Sequence, residues 1–332
     1  AVLPIQNLLI RNEPYYLTLN VSTSERQIRY YTRIVWPDNN YAYDMVSLAE
    51  EFSRKSLDYN QARELVSYLE TNDTEDNSNL GHGTIRASFN HLTWDGLPVE
   101  MVGEPQVTLQ EFDGIMGQVK VRYTVAITES DNTRTLVDTE DNFTMKWNEK
   151  RIYMMNYERN ANEMFTGKRE AFSGKRIILG ITNDNMVKTV KCPKSRYLAF
   201  KTGGDLWCYD QTDNELVRIF TFDSSKDDGI RSRYDRHDVK ILSVQEDGTV
   251  DFLVYGYMNR GSYEGQMGVV FYHYDEEKRM VQEKFFVPAS TGFDQLGSDI
   301  STLAYLGDNG MTYLLLNGKV TGIDLNSNES VT

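Results

Sequence analysis

The stretch HDVKILSVQEDGTVDFLVYGYMNRGSYEGQMGVVFYHYDEEKRMVQEKFFVP, residues 237–288, decides the fold. Four runs rich in Val, Ile, Leu, Phe and Tyr follow one another: Val239 to Val244, Val250 to Met258, Gly268 to Tyr274 and Arg279 to Val287. Asp247-Gly248 and Asp275-Glu276-Glu277 are turn sequences between them, so the segment reads as a four-stranded antiparallel meander. The second run is apolar almost throughout, which predicts a strand buried on both faces.

The same layout recurs on either side. Upstream, Arg196 to Thr202, Asp205 to Asp210 and Leu216 to Phe222 are strands, the first two meeting across Gly203-Gly204. Downstream, Ser301 to Leu306, Met311 to Leu316 and Lys319 to Leu325 begin a third unit. In each unit one strand ends on an Asp before a polar turn: Trp207-Cys208-Tyr209-Asp210, Tyr272-His273-Tyr274-Asp275 and Thr321-Gly322-Ile323-Asp324. Such repetition is what stacked β-propeller blades produce, with an ordinary antiparallel sandwich as the alternative. Residues 168–332 are thus expected to form about three blades without a helix, the last partial, in a ring that is either closed by further blades or left incomplete.

Residues 1–167 read differently. Tyr15 to Val21 and Gln27 to Trp36 suggest a hairpin. After Pro37 the period changes to that of a helix: Met45, Leu48, Ala49 and Phe52 form one apolar stripe, and Leu65, Val66 and Leu69 continue it on a second helix capped by Asp58 or Asn60. Strands are expected over Ile85 to Phe89, Pro105 to Phe112, Gln118 to Thr128, Leu136 to Lys146 and Arg151 to Tyr157. The fold class is therefore mainly β, with an N-terminal α+β domain, a helix pair on an antiparallel sheet, in front of the blades.

Composition narrows the function. With 35 Lys and Arg against 49 Asp and Glu, a net charge of −14 repels a phosphate backbone, so nucleic acid is excluded as a partner. No run approaches the ~20 apolar residues of a membrane span. The apolar start, Ala1 to Ile10, suggests a chain cut just after a signal or anchor segment. Two cysteines, Cys192 and Cys208, exclude a disulfide-dense scaffold, and the hairpin about Gly203-Gly204 sets Cys208 opposite Ala199, so no bridge between them is expected.

The stretches HDVKILSVQEDGTVDFLVYGYMNRG (237–261), IRYYTRIVW (28–36) and MTYLLLNGKVTGIDL (311–325) resemble uncharacterised, membrane-anchored extracytoplasmic proteins of Gram-positive bacteria. The resemblance implies a cell-surface location, an N-terminal anchor preceding this chain and further blades beyond Thr332. It carries no active site.

The residues supply no catalytic or cofactor signature. Nucleophile-elbow, zinc-protease, P-loop and dinucleotide fingerprints are missing, so no cofactor is assigned. The polar tract 71–83 lacks the ligand order of a calcium loop. His82, His91, His237 and His273 show no metal-ligand spacing, so no metal is assigned either. Asp235, His237 and Asp238 are the weak acid–base candidates, crowded by arginines between two blades. Tyr255, Tyr257, Asn259, Arg260 and Tyr263 are the binding candidates, because rings, amides and a guanidinium are the composition of recognition loops. Two functions follow: a non-catalytic extracytoplasmic interaction or sensory module for a protein, peptide or cell-wall glycan, or a propeller-type hydrolase or lyase. A spacer without a ligand is the third alternative.

Overall fold

In the computed structural model, residues 5, 8–24, 27–69, 76–128, 132–168, 171–173, 176–180, 188–222, 236–325, 327 and 330–331 are described. The expected hairpin forms from β1 (Pro14–Ser22) and β2 (Gln27–Val35). The first helix, α1 (Tyr41–Lys55), buries Met45, Leu48, Ala49 and Phe52, the stripe read from the sequence. Its opposite face carries Glu50–Arg54 and Glu51–Lys55 ion pairs one turn apart.

The second helix is shorter than its stripe suggests. Asp58 caps it, its carboxylate accepting from the N–H groups of Asn60 and Gln61. After one turn, α2 (Tyr59–Ala62), the chain tightens into a 3₁₀ segment over Arg63–Tyr68. A period of three instead of 3.6 turns Val66 off the apolar face, and it is exposed while Leu65 is buried. The strand expected over Ile85 to Phe89 is also corrected. β3 is His82–Thr84, and the Ser88 hydroxyl accepts from the His91 N–H to start α3 (Phe89–Leu92) instead.

Four long strands follow: β4 (Val99–Phe112), β5 (Met116–Thr128), β6 (Arg134–Asn148) and β7 (Arg151–Glu163). With β3 they make a five-stranded antiparallel sheet in the order β3-β7-β6-β5-β4. Val119, Val121, Tyr123, Val125, Phe143, Met145 and Tyr157 turn one face toward α1 and form the core with it. Residues between them carry Lys120–Glu140 and Arg122–Glu140 pairs across neighbouring strands on the other face. A helix against an antiparallel sheet is thus present.

A two-stranded ribbon, β8 (Phe172–Ser173) and β9 (Arg176–Ile177), precedes three four-stranded antiparallel sheets, each a meander in chain order. The first contains β10 (Thr189–Lys191), β11 (Tyr197–Thr202), β12 (Asp205–Asp210) and β13 (Glu215–Phe220). The second contains β14 (His237–Val244), β15 (Val250–Tyr257), β16 (Met267–Asp275) and β17 (Met280–Pro288). α4 (Phe293–Thr302) then leads to β18 (Ala304–Leu306), β19 (Met311–Leu316), β20 (Lys319–Asp324) and β21 (Ser330–Val331). The expectation of no helix after residue 168 is overturned by α4. Its Leu296 and Ile300, one turn apart, are buried, and the strand expected from Ser301 starts only at Ala304.

The middle sheet is buried on both faces. Phe252, Val254, Val270 and Tyr274 pack with Tyr197, Ala199, Leu206 and Cys208 of the first sheet. Leu253, Tyr255, Val269 and Phe271 pack with Leu314, Leu316 and Ile323 of the third and with α4. First strands approach one another, β14 lying against β10 and β18 and also against the second strand β11, and fourth strands do likewise, β13 against β17. The recurrent Asp has a local cause. Asp210 accepts from the Thr212 and Asp213 N–H groups and Asp275 from that of Lys278, closing the turn between third and fourth strands.

Contacts divide the chain into two compact units made of several segments rather than by one cut at residue 167. One holds 1–15, 34–171 and 178–186; the other holds 16–33, 172–177 and 187–332.

Candidate functional site

Antiparallel register gathers the sequence candidates at one end of the middle sheet. His237 pairs with Gly256 and Asp238 with Tyr255, so the start of β14 meets the end of β15 and the loop 258–266 that follows. That loop is closed by backbone bonds from the Met258 N–H to the Gln266 carbonyl and from the Gly265 N–H to the Met258 carbonyl, with further bonds from Glu264 to Gly261 and from Gln266 to Tyr263.

The aromatic candidates are engaged in packing. Tyr255 is buried, stacks on Phe293 at 6.2 Å between centroids, and donates its hydroxyl to Asp238 at 3.1 Å. Burial and the Asp238 charge push its phenol well above the usual range. Tyr257 packs, half-buried, against the core shared with the third sheet. Tyr263 stacks on Phe286 at 4.1 Å and 14°, on the side of the core shared with the first sheet. Asn259 is buried with its amide 3.4 Å from the His237 ring, and Arg260 donates Nε to the Phe222 carbonyl at 2.8 Å.

Of the acid–base candidates, His237 and Asp238 do not converge. Asp235 lies outside the described residues. His237 and Asp238 are neighbours on a strand and point to opposite faces. The His237 ring meets Phe222 edge-on at 4.4 Å, while Asp238 accepts from Lys201, from Tyr255 and from the Val239 N–H. Each histidine has its own neighbour: Glu158 for His82, Asp95 for His91, Asp251 for His273. Among the described residues no three His, Cys, Asp or Glu side chains gather as a metal site.

Sequence reasoning missed the lysines at this end. Lys201 reaches from β11 to Asp238, and Lys240, two residues beyond Asp238 and on the same face of β14, donates to the Ile300 carbonyl at 2.8 Å. Arg236 lies 3.5 Å from Asp294. The period-two spacing of Asp238 and Lys240 was legible; the link from Lys201 crosses between sheets and leaves no local signal.

The other unit holds a buried polar cluster that the sequence reading passed over. Asp141 accepts from Ser53, Tyr123, Tyr157 and Arg159, all within 2.9 Å. Arg159 also donates to the Leu92 carbonyl and Ser56 hydroxyl and lies over the Trp94 ring at 4.9 Å. With ion and counterion both satisfied inside the core, the cluster joins α1 to the sheet. The cysteines are buried and unbridged, Cys208 standing opposite Ala199 as the hairpin predicts. Burial, aided by Glu276 and Asp210, pushes the Cys208 thiol up to about 12, which makes it a poor nucleophile.

No family model matches the chain, and no curated protein matches it. Among solved structures, a crystal structure of the tricorn protease aligns with 67% of this chain and 25% of that one, at 8% identity and a TM-score of 0.14. The chain therefore spans about a quarter of that protein's length. A score so low says nothing of either fold or chemistry.

Proposed function

We propose that this chain is a non-catalytic binding module acting outside the cytoplasm, with its three meanders arranged as β-propeller blades and its partner a protein, peptide or glycan. Support for the blade arrangement comes from the middle sheet, which is sandwiched on both faces with like strands against like. The extracytoplasmic location rests on the resemblance of residues 28–36, 237–261 and 311–325. The binding face is the end of the stack formed by the starts of the first strands and the loop 258–266.

One observation carries the preference for binding over hydrolysis. At that end His237 and Asp238 face opposite ways, and the Asp238 carboxylate is taken up by Lys201 and Tyr255. A hydrolase or lyase needs a proton-transfer group within reach of one reacting atom. A fixed loop framed by rings and a guanidinium suits contact with a partner instead.

The test is capture by the immobilised full chain of muropeptides and of a peptide library, each read by interferometry. Tyr257→Ala with Arg260→Ala should weaken capture while far-ultraviolet dichroism stays unchanged. Capture unaffected by the double substitution removes this end from the reading. Turnover of any captured glycan or peptide, lost in His237→Ala, would favour the enzyme instead.

A further inference from the structure

We propose that His91 is a pH-sensitive latch, whose doubly protonated ring pins the loop 76–82 to the short helix α3 and releases it when the ring loses a proton. The device belongs to the unit of the five-stranded sheet and stands independently of the binding reading.

His91 is 4% exposed, and each of its ring nitrogens meets an oxygen. Nδ1 lies 2.8 Å from the Asp95 carboxylate and Nε2 lies 3.0 Å from the Asn79 carbonyl. An ionised carboxylate and a carbonyl oxygen only accept, so both nitrogens have to donate. An imidazole with two N–H groups is the charged form, and Asp95, four residues along, is its counterion.

The two contacts tie together pieces with different resources. On the loop, the Asn79 carbonyl accepts from the His82 N–H as well as from His91, and the Asn79 side-chain oxygen accepts from the Gly81 N–H. Asn77 accepts from the N–H of Ser88, the residue that caps α3. On the other side of the ring, Trp94 and Asp95 have φ values of +63° and +50°, left-handed backbone that side chains adopt at a cost. That turn has holds of its own. Asn90 donates to Asp95 at 2.7 Å, and Arg159 covers the Trp94 ring while donating to the Leu92 carbonyl.

The charged groups around the ring are Asp95 on its own turn, Asp76 and His82 on the loop, and Glu158 and Arg159 on β7. Asp76 is held below the ordinary carboxylate range first by Ser78 and further by the charges of His82 and His91. Arg86 meets the loop through its carbonyl, which accepts from the Asp76 N–H. A neutral His91 ring keeps one N–H. The carboxylate is the stronger acceptor, so Nδ1 keeps its proton and the Nε2 lone pair is left facing the Asn79 carbonyl oxygen. Two buried acceptors set against each other are unfavourable, and the loop moves off. The latched state binds one proton more than the released state, so raising the pH favours release and lowering it favours closure.

The experiment follows the full chain by amide exchange and by the ring nitrogen resonances of its histidines from about pH 5 to 8, the range in which histidine changes charge. Exchange rates are divided by those of the unfolded chain, so base catalysis of exchange does not enter. His91 should show two protonated nitrogens at the acid end and Nδ1–H alone at the alkaline end. Protection of the Gly81 and His82 amides should fall by about tenfold or more over the same titration. Thr93, bonded within α3, and Val121, in the sheet core, should keep theirs.

Asp95→Asn is the decisive variant, because it removes the counterion at an exposed position and asparagine accepts left-handed backbone. Release of Gly81 should then come about one pH unit earlier. His82→Gln removes the histidine of the loop itself and should leave the midpoint where it is. A single ring proton on His91 while the loop is protected, protection that is flat across the range, or a midpoint that follows His82 and not Asp95, overturns the inference.

Discussion

Two residues show how differently a carboxylate can be used in this chain. Asp141 is buried with Arg159, and removing one partner leaves a charge without its counterion in the core. Arg159→Ala is expected to cost about 3–5 kcal/mol in urea denaturation, and Arg159→Met with Asp141→Leu together less than the sum of the single changes. Asp210 sits at a turn. Burial pushes its carboxyl up, but Arg196 and the Thr212 and Asp213 N–H groups outweigh that and hold it at about 2, below the ordinary value of 3.8. A carboxyl lowered on folding stabilises fully above its unfolded value, and the contribution fades as pH falls from about 4 toward 2. The urea midpoint of the wild type should therefore drop over that window, and Asp210→Asn should flatten the drop while lowering the midpoint at neutral pH. In the sequence this Asp was visible as a repeat but not as a cap, because its hydrogen bonds depend on the turn conformation. Asp141 gave no repeat, and its partners come from positions 16 to 88 residues away.

At the scale of elements, β15 explains why residues 250–257 were the most legible part of the chain. An apolar run with no polar alternation fits a strand with both faces covered, and Phe252 and Leu253 are both fully buried, on opposite sides. Phe252→Ala and Leu253→Ala should each destabilise by about 2–5 kcal/mol, measured by denaturant midpoint, since each opens a cavity in a different core. A strand with a solvent face would respond to only one of the two. Gly256, the last residue but one of this strand, has a φ of +118°, and a Cβ there would collide with the Arg236 carbonyl oxygen and lie 2.7 Å from the His237 Cα. Gly256→Ala should thus disrupt the approach of β14 to β15 and cost at least about 2 kcal/mol, with His237 amide exchange accelerated. The elements misread were those decided by local competition. Ser88 starts a helical turn inside an apolar run, and α4 fits ten residues between two strands, too few for its Leu296–Ile300 spacing to stand out beside Gly297 and three serines or threonines.

On the scale of the whole molecule, the repeat spacing revealed the meanders but could not reveal what covers their ends. Phe200, Trp207 and Tyr209 of the first sheet are all buried, although all three stand outside the core shared with the second sheet. Phe172, in the ribbon before the sheets, has its ring 6.3 Å from that of Tyr209, and the unit containing the three sheets also contains 16–33 and 172–177. Those segments are distant in sequence and carry no blade pattern, so a boundary drawn at 167 separates them from the sheets. A fragment of residues 187–332 tests their contribution. It retains every strand of the three meanders, and the core between the second and third sheets should survive. Its first sheet loses Phe172 from beside Tyr209, so amide exchange along β11 and β12 should be faster than in the full chain while exchange along β15 and β16 is retained. A fragment that restores 172–177 should recover part of the protection around Tyr209. Equal protection of β11 and β12 in the fragment and the full chain would show that the first sheet needs neither added segment.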